Sequence, residues 1–279
     1  MGTYIEAEPN VRLYVEDLGQ GHPVVFLHGW PASQRMFETQ SVLLPKNGCR
    51  YIGIDFRGFG KSDAPWEGYD YDRMADDVRA VVDKLGLSSF TLFGFSMGGA
   101  IAVRYMSRHR QHGVQRLILA GAAAPRFTQS ESFPYGTPPE MVDEMINEAY
   151  RDRPAMISDF GATFTLRKPS PPFEAYLSLL CLEASAHGTI RAMESLRDED
   201  LRHDLSNISV PTTIFQGVKD EICPFELAEE IKARIHGSTM IRFEESGHAM
   251  LYDEPALFNE SLLDLLRAGS GAAAAGRAL

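Results

Sequence analysis

Residues 22–121 switch repeatedly between two periodicities, and that alternation restricts the fold more than any other feature. Pro23-Val24-Val25-Phe26-Leu27, Arg50-Tyr51-Ile52-Gly53-Ile54, Phe90-Thr91-Leu92-Phe93 and Val114 to Gly121 are short apolar, β-prone runs. Continuous runs of this kind suit strands buried on both faces. Between them lie helical patterns: one from Ser33 or Gln34 to about Pro45, and one from Asp72 to Leu85. The second carries Met74, Val78, Val81, Val82 and Leu85 on one stripe, with Gly86 placed to cap its end. Strands alternating with helices predict an α/β fold: a mostly parallel central sheet with helices on both faces.

Upstream, Thr3 to Glu8 and Val11 to Leu18, broken by Pro9-Asn10, predict an antiparallel hairpin at the sheet edge. The alternation stops after Gly121. Residues 125–200 show no strand of the buried parallel type, only helical patterns at Pro138–Tyr150, Ala155–Phe164, Pro172–Ala184 and Thr189–Glu199. They predict an inserted helical cap. The sheet pattern returns at Pro211–Gly217 and Ser238–Phe243, with helices at Pro224–Ile235 and Glu254–Arg267. The expected organisation is a core of residues 1–124 and 201–267, a cap of residues 125–200, and a low-complexity tail or cloning remnant at residues 268–279.

Gly94-Phe95-Ser96-Met97-Gly98-Gly99 fits G-x-S-x-G and sits between a predicted strand and a helix that begins near Ala100. A serine at such a turn is held in a strained conformation with its Oγ raised above the sheet. The helix that starts there aims backbone N–H groups toward the serine, where negative charge would develop.

A serine hydroxyl needs a base, and the base needs an acid to fix its tautomer. In a parallel sheet these groups belong in loops beyond the carboxyl ends of strands. That rule selects His248 after the last strand and Asp220 after the strand before it. Glu245 is a second candidate acid, Asp55 a loop-orienting carboxylate, and His28 a weaker candidate base. His109 and His112 have no matching third ligand in sequence, so no metal site is expected.

The combination of His28-Gly29-Trp30-Pro31, Asp55-Phe56-Arg57-Gly58-Phe59-Gly60-Lys61-Ser62-Asp63, Gly94 to Gly99 and Gly247-His248 resembles the α/β-hydrolase superfamily. It looks most like the cofactor-free haloperoxidase and aryl esterase branch, over roughly residues 3–267 and more weakly through the cap. The resemblance implies a Ser96–His248–Asp220 triad and an oxyanion hole from the Trp30 and Met97 N–H groups. It implies no haem, metal or other cofactor, and a peracid-forming side activity in which peroxide replaces water. The serine separates this chain from relatives of the same fold that use an aspartate nucleophile.

The expected substrate is a small, mostly apolar carboxylic ester or lactone; carbon–carbon bond hydrolysis, amide hydrolysis and ligand binding without catalysis are the alternatives. Candidate pocket residues are Pro31, Phe95, Phe127, Tyr135, Phe160, Phe164, Ile222 and Met250, with Phe173 and Tyr176 among the other cap aromatics. A net charge of -11 argues against a nucleic-acid partner. No apolar run reaches membrane-spanning length, no secretory signal is evident, and the three cysteines, Cys49, Cys181 and Cys223, are scattered. A cytoplasmic protein with reduced thiols is expected.

Overall fold

The computed structural model describes the backbone of residues 2–275. The predicted hairpin forms as β1 (Gly2–Glu8) and β2 (Val11–Leu18), paired antiparallel. The apolar runs form β3 (His22–Leu27), β4 (Cys49–Ile54), β5 (Phe90–Phe95), β6 (Val114–Ala120), β7 (Thr212–Gly217) and β8 (Thr239–Phe243). All belong to one eight-stranded sheet of order β1-β2-β4-β3-β5-β6-β7-β8, parallel from β4 to β8. The sheet edge expected at the N-terminus is therefore the antiparallel one.

Side chains alternate across the pleat and feed two cores. In β3, Val25 and Leu27 join one core while Val24 and Phe26 join the other. The first core packs under α2 (Tyr71–Lys84) and α3 (Met97–Arg108); the second under α1 (Glu38–Lys46) and α10 (Pro255–Ala275). The α2 stripe arrives as predicted: Met74, Val78, Val81 and Val82 are buried. Gly86, at φ +63°, ends it as expected, with Leu87 N donating to Val82 O and Gly86 N to Asp83 O. This double bond pattern satisfies the last free carbonyls of the helix.

Two expected helices are modified. The first, predicted from Ser33 or Gln34, opens as a 3-10 turn over Gln34–Phe37 before α1 begins. The patterns at Pro138–Tyr150 and Ala155–Phe164 join as α4 (Pro139–Gly161), kinked at Asp152 (φ −151°, ψ 77°). Pro154 cannot donate a helical hydrogen bond. Asp152 Oδ1 accepts instead from Ala155 N at 3.1 Å, capping the second half of the helix. The helical segment between β6 and β7 continues with α5 (Pro171–Leu182), α6 (Ala186–Asp198) and the short α7 (Arg202–Leu205). After β7 come α8 (Phe225–Arg234) and, beyond β8, the single turn α9 (Met250–Asp253). The turns α7 and α9 carry no sequence period long enough to announce them.

The last helix, expected to end at Arg267, runs on to Ala275, into the small-residue stretch. The end of that stretch, residues 276–279, lies outside the described residues.

The helices between β6 and β7 are tied to loops at the carboxyl ends of the strands. Trp30 Nε1 donates to Thr189 O at 2.9 Å, Ser185 N to Gly58 O at 2.8 Å, and Ala249 N to Phe164 O at 2.9 Å. Leu166 N and Arg167 N donate to the Asp253 carboxylate. These bonds cover the loops after β3, β4 and β8 with helical structure, and place Trp30, Phe160 and Phe164 over one end of the sheet.

Candidate active site

Ser96 stands at the junction of β5 and α3 with φ 55° and ψ −120°, a conformation that costs a non-glycine residue roughly 1–3 kcal/mol. The surroundings hold it there. Ser96 N donates to Ala120 O at 2.9 Å, and Ala123 N donates to Ser96 O at 3.0 Å. The strain is also enforced by packing: a Cβ on Gly98 would run into the carbonyl oxygens of Leu27 and His28. The loop after β3 passes just as close on the other side. A Cβ on Gly29 would lie 3.0 Å from Ser96 Cβ and 2.9 Å from the Phe95 ring. Trp30 follows directly, so its backbone reaches the same space.

Among the described residues, nothing accepts a hydrogen bond from the backbone N–H of Trp30 or of Met97. Both residues are buried. Unspent buried N–H groups are rare in folded proteins. Two of them flanking a strained serine form a ready receptor for an oxyanion.

His248 and Asp220 meet at the same end of the sheet. His248 Nδ1 lies 2.8 Å from Asp220 Oδ2, and both side chains are buried. The other bonds to Asp220 all come from donors: Gln216 Nε2 to Oδ2 at 3.1 Å, Ile222 N to Oδ1 at 2.9 Å and Cys223 N to Oδ1 at 2.8 Å. A carboxylate is an acceptor only, so Nδ1 of His248 carries a proton, and in the neutral ring the lone pair lies on Nε2. The imidazole is held between rings, 4.8 Å from Phe95 and 5.8 Å from Phe164. Phe95 is the residue before Ser96, so the imidazole packs on the side chain that leads into the elbow.

The rival candidates are accounted for otherwise. Glu245 is exposed and pairs with Lys219 at 2.9 Å, away from His248. His28 is fully buried, donates Nδ1–H to Gly29 O at 2.9 Å and accepts at Nε2 from Phe56 N at 3.0 Å. Burial lowers its pKa to about 4, so the ring stays neutral near pH 7 with both nitrogens engaged. It shapes the turn that presents Trp30.

Asp55 does the same for the next loop, accepting from Gln34 N at 2.8 Å and Lys61 N at 2.9 Å. Burial outweighs these bonds and raises its pKa from 3.8 to about 6. A raised folded-state pKa makes the contribution of Asp55 most favourable below about pH 4 and lost as pH rises through about 6. The stability of the wild type relative to Asp55→Asn is therefore expected to fall by up to about 3 kcal/mol between those limits. Urea denaturation of both proteins across that range measures the difference. A difference independent of pH would contradict the burial assigned to Asp55. The comparison must be made by subtraction, because His28, with its pKa lowered, acts in the opposite sense over much of the same range.

Two residues contribute that sequence reasoning passed over. Gln216, at the end of β7, bonds both Asp220 and the Cys223 carbonyl and so fixes the acid loop. Cys223 is buried with its thiol against Ser96. Burial and then the Asp220 charge push its pKa well up, with a hydrogen bond to Ser96 opposing them. The thiol therefore stays protonated beside the serine. The available signal was the turn after Asp220, whose carboxylate gathers the N–H groups two and three residues on.

Two cavities adjoin the site. The larger, about 710 Å³, is bordered by Pro31, Phe95, Phe160 and Phe164. The smaller, about 360 Å³, is bordered by Ser96, Phe127, Phe160 and Ile222. Six of the eight expected pocket residues thus line these spaces. Tyr135 and Met250 line neither. Residues 128–137 fold back through bridges Thr128–Thr137 and Ser130–Phe133, turning Tyr135 outward against the edge of Phe133. Met250 is fully buried in the core beneath the site, two residues beyond His248. Phe173 and Tyr176 pack on each other, and the Tyr176 hydroxyl is spent on Glu38 and the Arg35 carbonyl.

Residues 22–255 match the family model for the alpha/beta hydrolase fold. The chain belongs to the α/β-hydrolase superfamily, in the branch of non-heme haloperoxidases and esterases. It is 51% identical to the AB hydrolase superfamily protein YisY of Bacillus subtilis (strain 168), over 93% of this chain and 97% of that one. Among solved structures it is similar to the esterase EaEST from Exiguobacterium antarcticum, with a TM-score of 0.94 and 49% identity, covering 96% of this chain and 100% of that one. It is also similar to a bromoperoxidase from Bacillus anthracis, with a TM-score of 0.92 and 32% identity over 96% and 100% of the two chains. Among the described residues no group of three or more His, Cys, Asp or Glu is arranged to hold a metal ion, and no helix is long and apolar enough to cross a membrane.

Proposed function

We propose that the protein is a serine hydrolase of small, mostly apolar carboxylic esters or lactones, acting through an acyl-enzyme. Ser96 Oγ attacks the carbonyl carbon while His248 Nε2 takes its proton. The oxyanion is held by the N–H groups of Trp30 and Met97. His248 returns the proton to the leaving oxygen, then activates the water that releases the acid. Asp220 keeps the tautomer and stabilises the imidazolium. The observation that carries this reading is the Asp220–His248 bond of 2.8 Å, buried beside a strained serine with two unspent N–H donors.

Residues 125–200 act in this reading as a cap that makes the site apolar, and no cofactor or protein partner is required. Peroxide admitted in place of water would yield a peracid, a side activity in keeping with the likeness to a bromoperoxidase. The three free cysteines suit a reducing compartment, and we place the protein in the cytoplasm.

The test is steady-state turnover on a panel of p-nitrophenyl esters, lactones and matched amides. Sustained hydrolysis of the esters or lactones is expected. Saturable binding of ester analogues with no turnover of any class would mean a receptor and would overturn the proposal.

A further inference from the structure

The two cavities have only Trp30 and Phe160 in common among their lining residues. Their rings meet edge to face, with centroids 5.0 Å apart. Together they form a partition across what would otherwise be one apolar space. The two halves of the partition differ. Trp30 is nearly fully buried and anchored by its indole N–H on Thr189 O. Phe160 is half-buried on the last turn of α4 and has no polar atom to anchor it.

The chemistry at Ser96 gives each compartment a role, on the reading proposed above. The carbonyl carbon sits at Ser96, which borders the smaller cavity. The leaving oxygen must face His248 to receive its proton. The rings that touch His248 are Phe95 and Phe164, and both border the larger cavity, neither the smaller. The alcohol part of an ester therefore extends into the larger space and the acyl part into the smaller. Among the described residues Glu174 is the only charged side chain on either lining, which suits uncharged groups on both sides.

We propose that Trp30 and Phe160 divide the binding space into a short acyl compartment and a roomier alcohol compartment, with Phe160 as the specificity residue that limits acyl length. The preferred substrates are then neutral esters of short acids with bulkier apolar alcohols. Of the two spaces the acyl side is the smaller, about 360 Å³ against about 710 Å³. Removing the Phe160 ring joins it to the larger space.

Two ester series test this in the wild type, Phe160→Ala and Phe160→Leu. One varies the acid from acetate to octanoate with p-nitrophenol as leaving group. The other varies the alcohol with acetate fixed. In the wild type, kcat/KM is expected to fall between butyrate and octanoate, while longer alcohols are accepted. Phe160→Ala should raise the octanoate-to-acetate ratio of kcat/KM by about tenfold or more, given that each newly buried methylene is worth about a factor of four. Phe160→Leu should shift the ratio less, and it serves if the alanine variant does not fold. A uniform loss on all esters would assign Phe160 a merely structural role. A shift in the alcohol series with the acyl profile unmoved would reverse the compartments. Either result overturns the proposal. Failure of the wild type to hydrolyse any ester would instead overturn the reading of the site itself.

Discussion

Ser96→Ala is expected to lower kcat/KM for p-nitrophenyl acetate by on the order of 10³-fold or more while the protein remains folded. The size follows from the triad acting as a unit: without the hydroxyl, His248 and Asp220 have nothing to activate. The fold should survive because alanine keeps the Cβ, and the contacts that hold residue 96 at φ 55° run through its backbone. Alanine at this angle is no more strained than serine. Steady-state kinetics with a thermal unfolding scan checks both halves. A folded variant with near-wild-type esterase activity would remove Ser96 from the mechanism.

Asp220→Asn is expected to cost a comparable factor, also on the order of 10³-fold or more. The reason is in the bonding around Asp220, which accepts from four donors, His248 Nδ1 among them. An amide at this position brings an NH₂ into a space where every neighbour donates. Turning it to face His248 leaves the imidazole with its proton on Nε2, where it cannot serve as base. Turning it away sets the NH₂ against the N–H groups of Ile222 and Cys223. Glu245→Gln is the control. Its carboxylate is exposed and pairs with Lys219, so activity should stay within a few-fold of wild type. The reverse ranking of the two variants, measured as kcat/KM on the same ester, would mean that the acid has been misplaced.

Much of this site is legible in the sequence because a parallel sheet imposes one rule. Functional side chains gather at the carboxyl ends of strands, and β5, β7 and β8 can each be found from its apolar run. Ser96, Asp220 and His248 follow those runs within a few residues, so their convergence needs no knowledge of the helices. The β1–β2 hairpin and the α2 stripe are legible for a similar reason, since their burial has a short, regular period.

What stays hidden depends on direction and tertiary contact. Tyr135 and Phe160 look alike as aromatics in the helical segment, yet one is turned out by two β-bridges and the other faces Trp30. Met250, two residues after His248, is carried into the core by the start of α9. Cys223 reaches Ser96 only because the Asp220 carboxylate folds the following residues around itself. The kink at Asp152 could be anticipated from Pro154, but the continuation of α4 across it depends on packing.

Active-site labelling followed by peptide mass spectrometry tests the central claim most directly. A fluorophosphonate reacts with a serine whose proton is being removed and whose product oxyanion is held, so it probes nucleophile, base and oxyanion donors together. The expected result is one phosphonyl group per chain, on the peptide containing Ser96, with labelling and loss of ester turnover advancing in step. Asp220→Asn should label far more slowly. Complete inactivation with the label on another residue, such as the neighbouring Cys223, or sustained turnover after Ser96 is fully modified, would contradict the account.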